Sequence, residues 1–276
     1  MARYSTLQVL NDTSLFDSRQ LLPRSVLACT MRVWAQWLKD HLRPFPKLIR
    51  EFGFGVVVVR QSIRYERPFS FFSADEFLVH CTISVRQKRH LLLGDVQFMN
   101  GDERFAHLQC AMRPLAIERG SDLGAMPARV EGPVLDMFLP DEISNDAVER
   151  PLRKTLGALS AASAIATATR AIRICRHDSE AADQWSYIEV VANAASAREA
   201  MILEAAPAQR SELQAGLAAP LGGIEIEIDR PLFLFDSAEI HSTAYRIGDC
   251  LTFVHVYRSS VGGSHEHATV VERFAI

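Results

Sequence analysis

The 276-residue sequence predicts an α+β fold in duplicate: two antiparallel sheets, each wrapped around a long central helix, joined into one continuous sheet. Three observations predict it. The chain repeats itself, since residues 66–76 read E-R-P-F-S-F-F-S-A-D-E and residues 229–239 read D-R-P-L-F-L-F-D-S-A-E. The positions of Arg67, Phe72 and Glu76 recur 163 residues later as Arg230, Phe235 and Glu239 (230 − 67, 235 − 72, 239 − 76). Each copy follows an apolar-alternating run and precedes further strand-like runs. A long helical stretch in the first copy is apolar on nearly every face, which requires surroundings on all sides. A repeat of this length in two units is a duplicated domain, because a solenoid needs at least three short repeats to bury its faces.

In chain order, residues 5–10 alternate as a short strand and run into Asn11, Asp12, Thr13 and Ser14, all turn and helix-capping types. Residues 21–42 carry Leu21, Leu22, Val26, Leu27, Val33, Trp34, Trp37 and Leu38, and form the engulfed helix. Its roughly 22 residues span about 33 Å, the length of a ten-residue strand, so long strands can cover it end to end. Pro44 and Pro46 terminate it. Strands follow at 55–61, 77–86, 91–100 and 104–117, with Asn100-Gly101-Asp102 as a tight hairpin turn.

Residues 118–180 read as a helical linker between the copies. Gly120, Gly124, Pro127, Gly132 and Pro133 mark an irregular start, and helices are expected at 141–150 and, Ala-rich, within 152–172. The linker would cross the molecule and cover a sheet edge. The second unit, 181–276, repeats the plan. Its short strand is expected at 185–191, its helix at 195–217 with Pro207 inside or ending it, and its strands at 223–229, 238–246, 250–258 and 265–276, with Gly262-Gly263 turning the last hairpin. The first unit spans 1–117.

Bulk composition narrows the function. A net charge of −3 gives no electrostatic footprint for nucleic acid. No run reaches the roughly 18–20 apolar residues of a membrane helix, and the first residues lack a signal-peptide profile, so a cytoplasmic protein is expected. The scattered Cys29, Cys81, Cys110, Cys175 and Cys250 make no C-x-x-C pair and read as free thiols; no metal site is expected.

Residues 9–17, the engulfed helix and the Val-rich run 54–68 together resemble the hotdog-fold acyl-CoA thioesterases of the 4-hydroxybenzoyl-CoA type. In that family a strand ends in Asp-x-Asp, a long helix follows, and a Val-rich strand leads into an Arg-Tyr-x-Arg-Pro-like run. The resemblance covers residues 5–117 and reaches 185–276 through the internal repeat, so the chain resembles a fused double hotdog, a pseudo-dimer for which further homo-oligomerisation stays open. The implied activity is hydrolysis or transfer of an acyl group held as a thioester on coenzyme A or an acyl carrier protein, in fatty-acid or polyketide-type metabolism. No cofactor is implied beyond the coenzyme A or phosphopantetheine of the substrate. A dehydratase or acyltransferase on the same fold and a non-catalytic acyl-binding protein are the alternatives.

In the relatives a carboxylate at the strand-to-helix junction acts as base or nucleophile, while helix-start amides polarise the thioester carbonyl. Here the resemblance places Asp12 at the first acid, Ser14 at the second and Asp17 near the usual glycine. The catalytic candidates are therefore Asp12, Asp17 and Tyr65. The substrate-binding candidates are Asn11, Thr13, Ser14, Ser18 and, from the second copy, Asn193, with amides around residues 17–20 as oxyanion donors. One pocket is expected, formed by the first junction and facing strands of the second copy. Each candidate also has a plain reading: Asp12 and Asp17 as caps, Ser14 as a turn residue, Tyr65 as strand packing. His80, His107, His265 and His267 lie in strands, none with the neighbours expected of a dehydratase histidine, and Phe69–Phe72 either lines an acyl channel or packs in the core.

Overall fold

The computed structural model describes residues 3–118, 124–259 and 265–275. It divides into two compact units, Met1–Glu149 and Arg150–Ile276. The expected Gly262-Gly263 turn, Gly120 and Ile276 lie outside the described residues.

In the first unit, strand β1 (Ser5–Leu10) leads through a 3-10 turn at Thr13–Leu15 to helix α1 (Pro23–His41). Pro23 sets the start: its φ suits a helix and its missing N–H is one the first turn leaves unpaired anyway. The helix buries Val26, Leu27, Val33, Trp34, Trp37 and Leu38 and packs on β1 and on β3 (Glu76–Arg86). A short α2 (Phe45–Phe52) ends on Gly53, whose φ of 60° is left-handed and where a Cβ would sit 3.0 Å from the Ile117 carbonyl oxygen. Strands β2 (Phe54–Tyr65), β4 (Leu91–Asn100) and β5 (Glu103–Ile117) complete an antiparallel sheet of order β1-β3-β4-β5-β2, with β6 (Ala125–Pro127) beside the end of β5.

The expected linker does not exist as one element. Its first part belongs to the first unit: after the short α3 (Gly132–Leu135), the buried Glu142 takes Arg3 in a two-pronged ion pair at 2.9 and 2.5 Å. The helix expected at 141–150 is absent, and only a 3-10 turn at Pro140–Glu142 forms. Ile143 instead bridges Val85, and Arg60 holds the carbonyls of Val148 and Glu149. Tertiary partners for this backbone outcompeted a marginal helix of about ten residues.

The second unit begins with α4 (Pro151–Leu159) and β7 (Ala164–Arg173). Half of the Ala-rich helix expected within 152–172 is thus a strand, because the edge of β9 (Ser237–Ile247) offers a full ladder of hydrogen bonds that outweighs alanine's helix preference. This strand is the true short strand of the second copy. The strand expected at 185–191 is corrected: Trp185 makes only an isolated bridge to Ser179, and α5 (Tyr187–Glu204) starts two residues later behind the capping Ser186. The expected helix 195–217 is two helices, since Pro207 opens α6 (Pro207–Gly216) and Ala205 and Ala206 form the break. Strands β8 (Leu221–Ile228), β10 (Cys250–Ser259) and β11 (His265–Ala275) complete an antiparallel sheet of order β8-β11-β10-β9-β7. Helix α5 packs on one face of this sheet; on the other, Leu152 and Leu159 of α4 pack against Val254 and Val271, while Arg150 and Arg273 pair with the buried Glu227 and Glu225.

Candidate functional site

The strand-to-helix junction of the first unit is a tightly bonded turn. Asn11 donates its N–H to the Asp75 carbonyl at 2.8 Å and its side-chain amide to the carbonyls of Ala74 and Phe71 at 2.6 and 3.3 Å. Asp12 caps the 3-10 turn: its Oδ1 accepts from the Ser14 N–H at 2.8 Å and the Ser14 hydroxyl at 2.5 Å. Those two bonds, the hydroxyl's first, hold the Asp12 carboxyl below the ordinary aspartate value, so it stands ionised and exposed beside the exposed Thr13 and Ser14. Tyr65 donates its hydroxyl to the Leu21 carbonyl at 2.9 Å and so ties β2 to the start of α1.

The expected oxyanion donors are corrected. Asp17 accepts the N–H groups of Arg19 and Gln20 on its own Oδ1 at 2.7 and 2.8 Å, and its own N–H goes to the Gln20 carbonyl at 3.0 Å. Three amides of the 17–20 stretch are thus consumed by a local Asx turn, and α1 begins further on, at a proline with no N–H. Asp17 is a turn residue, and Ser18 is exposed in the same turn.

Hydrogen bonds identify the matching junction in the second unit. Leu21 N–H to Phe69 O recurs as Trp185 N–H to Leu232 O, Leu22 to Leu15 as Ser186 to Asp178, and Asn11 to Asp75 as Ile174 to Asp236. The 3-10 turn Thr13–Leu15 recurs as Arg176–Asp178, so Cys175 stands where Asp12 stands. Asn193, expected to answer Asp12, lies within α5 instead. The strand that leads into the second junction is β7 and not residues 185–191, which puts that junction at Cys175.

The second unit holds a buried polar chain that the sequence reading missed. On the sheet face that α5 covers, Ser242 of β9 and His255 of β10 are direct cross-strand partners, and the Ser242 hydroxyl lies 2.8 Å from His255 Nδ1. His255 Nε2 lies 3.2 Å from Glu272 Oε2 on β11, and Glu272 Oε1 accepts from Arg198 of α5 at 2.5 Å. Ser242, His255 and Glu272 are 2%, 0% and 1% exposed. Burial alone would raise the Glu272 carboxyl; the charge of Arg198 and the hydrogen bond and charge of His255 outweigh it and hold the carboxyl at about 2. With Glu272 ionised, Nε2–H donates to the carboxylate, and in the neutral imidazole Nδ1 then accepts from the Ser242 hydroxyl. The clue in the sequence was alternation, since His255 sits in phase with Leu251, Phe253 and Tyr257, and Glu272 in phase with Ala268, Val270 and Phe274.

Two cavities open beside this chain, between α5 and β7. One of about 140 Å³ is lined by Ser242, Ala168, Thr169, Ala197, Ala200 and Glu204 among others. A larger one of about 410 Å³ lies against Ala164, Ala166, Met201, Glu204, Ala206 and Gln209. Small side chains facing one another across the helix–strand seam leave the space.

Of the other histidines, His107 has a carboxylate neighbour after all: its Nε2 lies 2.9 Å from Asp95 Oδ2, a half-buried pair that Gln109 also contacts. Burial acts to raise the Asp95 carboxyl, and bonding to His107 reverses this and lowers it. His265 contacts Arg230 and His267 contacts Ser259, so the two do not converge. Phe69 stacks on Phe105 at 3.9 Å and is buried, while Phe72 is exposed; this run does not line a channel as a unit. Cys29 and Cys110 are buried thiols pushed up to about 11 and 12, first by burial, and so are inert.

Two antiparallel sheets in tandem, each with a long helix on one face and matched turn for turn, define a fold of the double-hotdog class. Solved thioesterase structures share it. A candidate oleoyl thioesterase from Lactobacillus plantarum matches with a TM-score of 0.72 at 10% identity over 99% of this chain and 96% of that one. An acyl-ACP thioesterase from Bacteroides thetaiotaomicron matches at 0.66 and 12% identity, over 98% of this chain and 97% of that one. The 12:0-ACP thioesterase from Umbellularia californica matches at 0.64 and 14% identity, over 99% and 98%. At these identities the likeness is one of fold. No protein-family model matches the sequence, and no curated protein matches it.

Proposed function

We propose that the chain is an acyl-thioester hydrolase acting on an acyl group carried by an acyl carrier protein or coenzyme A. The observation that carries this reading is the fold shared along essentially the whole chain with three thioesterases. In this reading the two units are a fused pseudo-dimer, each sheet enclosing its own helix, and no cofactor is used. Asp12 is the carboxylate of the first junction. Its exposure lets water attacking the thioester carbonyl reach it and pass it a proton, while the Ser14 bonds that hold it ionised also lower its strength as a base. Asn11 and Tyr65 hold the turn and the helix start around it, and Thr13, Ser14 and Ser18 offer polar contacts to the thioester or its carrier arm.

The test is release of free thiol from acyl-carrier-protein and acyl-CoA thioesters of short, long and aromatic acyl groups. Release above the uncatalysed rate, reduced at least 100-fold in Asp12→Asn with the melting temperature unchanged, is the expected result. No release from any substrate overturns the function; an undiminished Asp12→Asn overturns the residue.

A further inference from the structure

We propose that the second unit carries a nucleophile of its own: Ser242, with His255 as its base and Glu272 orienting that base, takes up an acyl group in the cleft between α5 and β7. This goes beyond the hydrolase reading above, which places its chemistry at Asp12, and stands or falls separately from it.

The first argument is geometric. Serine hydroxyl, imidazole and carboxylate are joined in series at 2.8 and 3.2 Å, with the polarity that lets Ser242 give its proton to Nδ1 as its oxygen attacks. Arg198 pairs with the far oxygen of Glu272 and keeps the carboxylate ionised. Ser242, though buried, borders a cavity, and that cavity shares Glu204 with the larger cleft of about 410 Å³, a size in the range of small-molecule sites.

The second argument uses the duplication as a control. Registers and turn bonds pair Ser242 with Cys81, His255 with Val96, and Glu272 with Cys110 in the first unit. At the distance of Arg198 from its helix start, α1 has Trp34. The same fold therefore closes its core there with thiols, an aliphatic side chain and an indole. Three buried polar side chains and the partly buried Arg198 are not what this sheet needs in order to pack, and burying an ion such as Glu272 costs several kcal/mol before it is paired.

The step balances without a co-reactant. The Ser242 Oγ–H proton passes to His255 Nδ1, an Oγ–C bond forms to the acyl carbonyl, and the bond from that carbon to the thiol or alcohol carrier breaks. The leaving group takes the proton back from His255, and the acyl group remains on Ser242 as an ester. Water activated by His255 then hydrolyses the ester, or a second alcohol or thiol carries the acyl group away.

The experiment is labelling of the full chain with a fluorophosphonate probe, mapped by peptide mass spectrometry. A stable adduct on Ser242 is expected, absent in Ser242→Ala and at least tenfold slower in His255→Gln. Hydrolysis of 4-nitrophenyl acetate and butyrate should follow the same order. Folded wild-type protein with no adduct on Ser242 overturns the proposal without any variant, as does a labelling rate equal in folded His255→Gln. Thiol release with no adduct, or an adduct with no thiol release, tells which of the two readings has failed.

Discussion

Glu272 shows how much one residue can hold. It is buried, ionised and shared between His255 and Arg198. Removing one partner of a buried ion pair leaves an uncompensated charge and costs about 3–5 kcal/mol, whereas replacing both by apolar groups is often near neutral. Arg198→Met should therefore lower the urea midpoint strongly, and Arg198→Met combined with Glu272→Met should cost less than the two single changes added. The pH dependence has a definite sign. With its folded value near 2 against 4.5 for the unfolded chain, Glu272 contributes stability that is present above about pH 4.5 and lost as the pH falls toward 2. The difference in urea midpoint between wild type and Glu272→Gln should be largest near neutral pH and shrink below pH 4.5. Tyr65→Phe loses one hydrogen bond between β2 and the start of α1 and should cost about 0.5–1.5 kcal/mol in chemical denaturation.

Among the elements, the two helices solve the same packing problem differently. Helix α1 fills its side of the sheet with Trp34, Trp37 and Leu38, whereas α5 presents Ala194, Ala197 and Ala200 and reaches the sheet through Arg198. Small side chains leave room beside β7, which is why both cavities lie along α5. Bulk should therefore close the cleft: Ala200→Leu is expected to abolish fluorophosphonate labelling of Ser242 while leaving the far-UV spectrum unchanged. The end of α6 is packed the opposite way. A Cβ on Gly216 would run into the side chain of the fully buried Leu251, so Gly216→Ala should destabilise by about 1–3 kcal/mol, read as a lowered melting temperature.

At the scale of the whole molecule the division falls between Glu149 and Arg150. A fragment starting at residue 181, the boundary that the sequence suggests, loses α4 and β7. It would strip the ladder from β9 and uncover Val254 and Val271. A fragment starting at Arg150 keeps both and should melt with a cooperative transition that the shorter fragment lacks, as followed by circular dichroism. No helix among the described residues is long and apolar enough to cross a membrane.

Local pattern alone determined the α+β class, the duplication, the position of α1 and nine of the strands, because alternation, an all-round apolar helix and the Arg-Pro turns are written in neighbouring residues. The polar turn at Asn11–Ser14 was legible for the same reason. Tertiary structure decided the rest. An Ala-rich stretch became β7 because a strand edge more than sixty residues away paired with it, and that strand places the second junction at Cys175 and not at Asn193. Ser242, His255, Glu272 and Arg198 lie on three strands and a helix, and only the register of β9, β10 and β11 brings them within hydrogen-bonding distance. Periodicity shows which face a side chain takes; it does not show which side chains meet there.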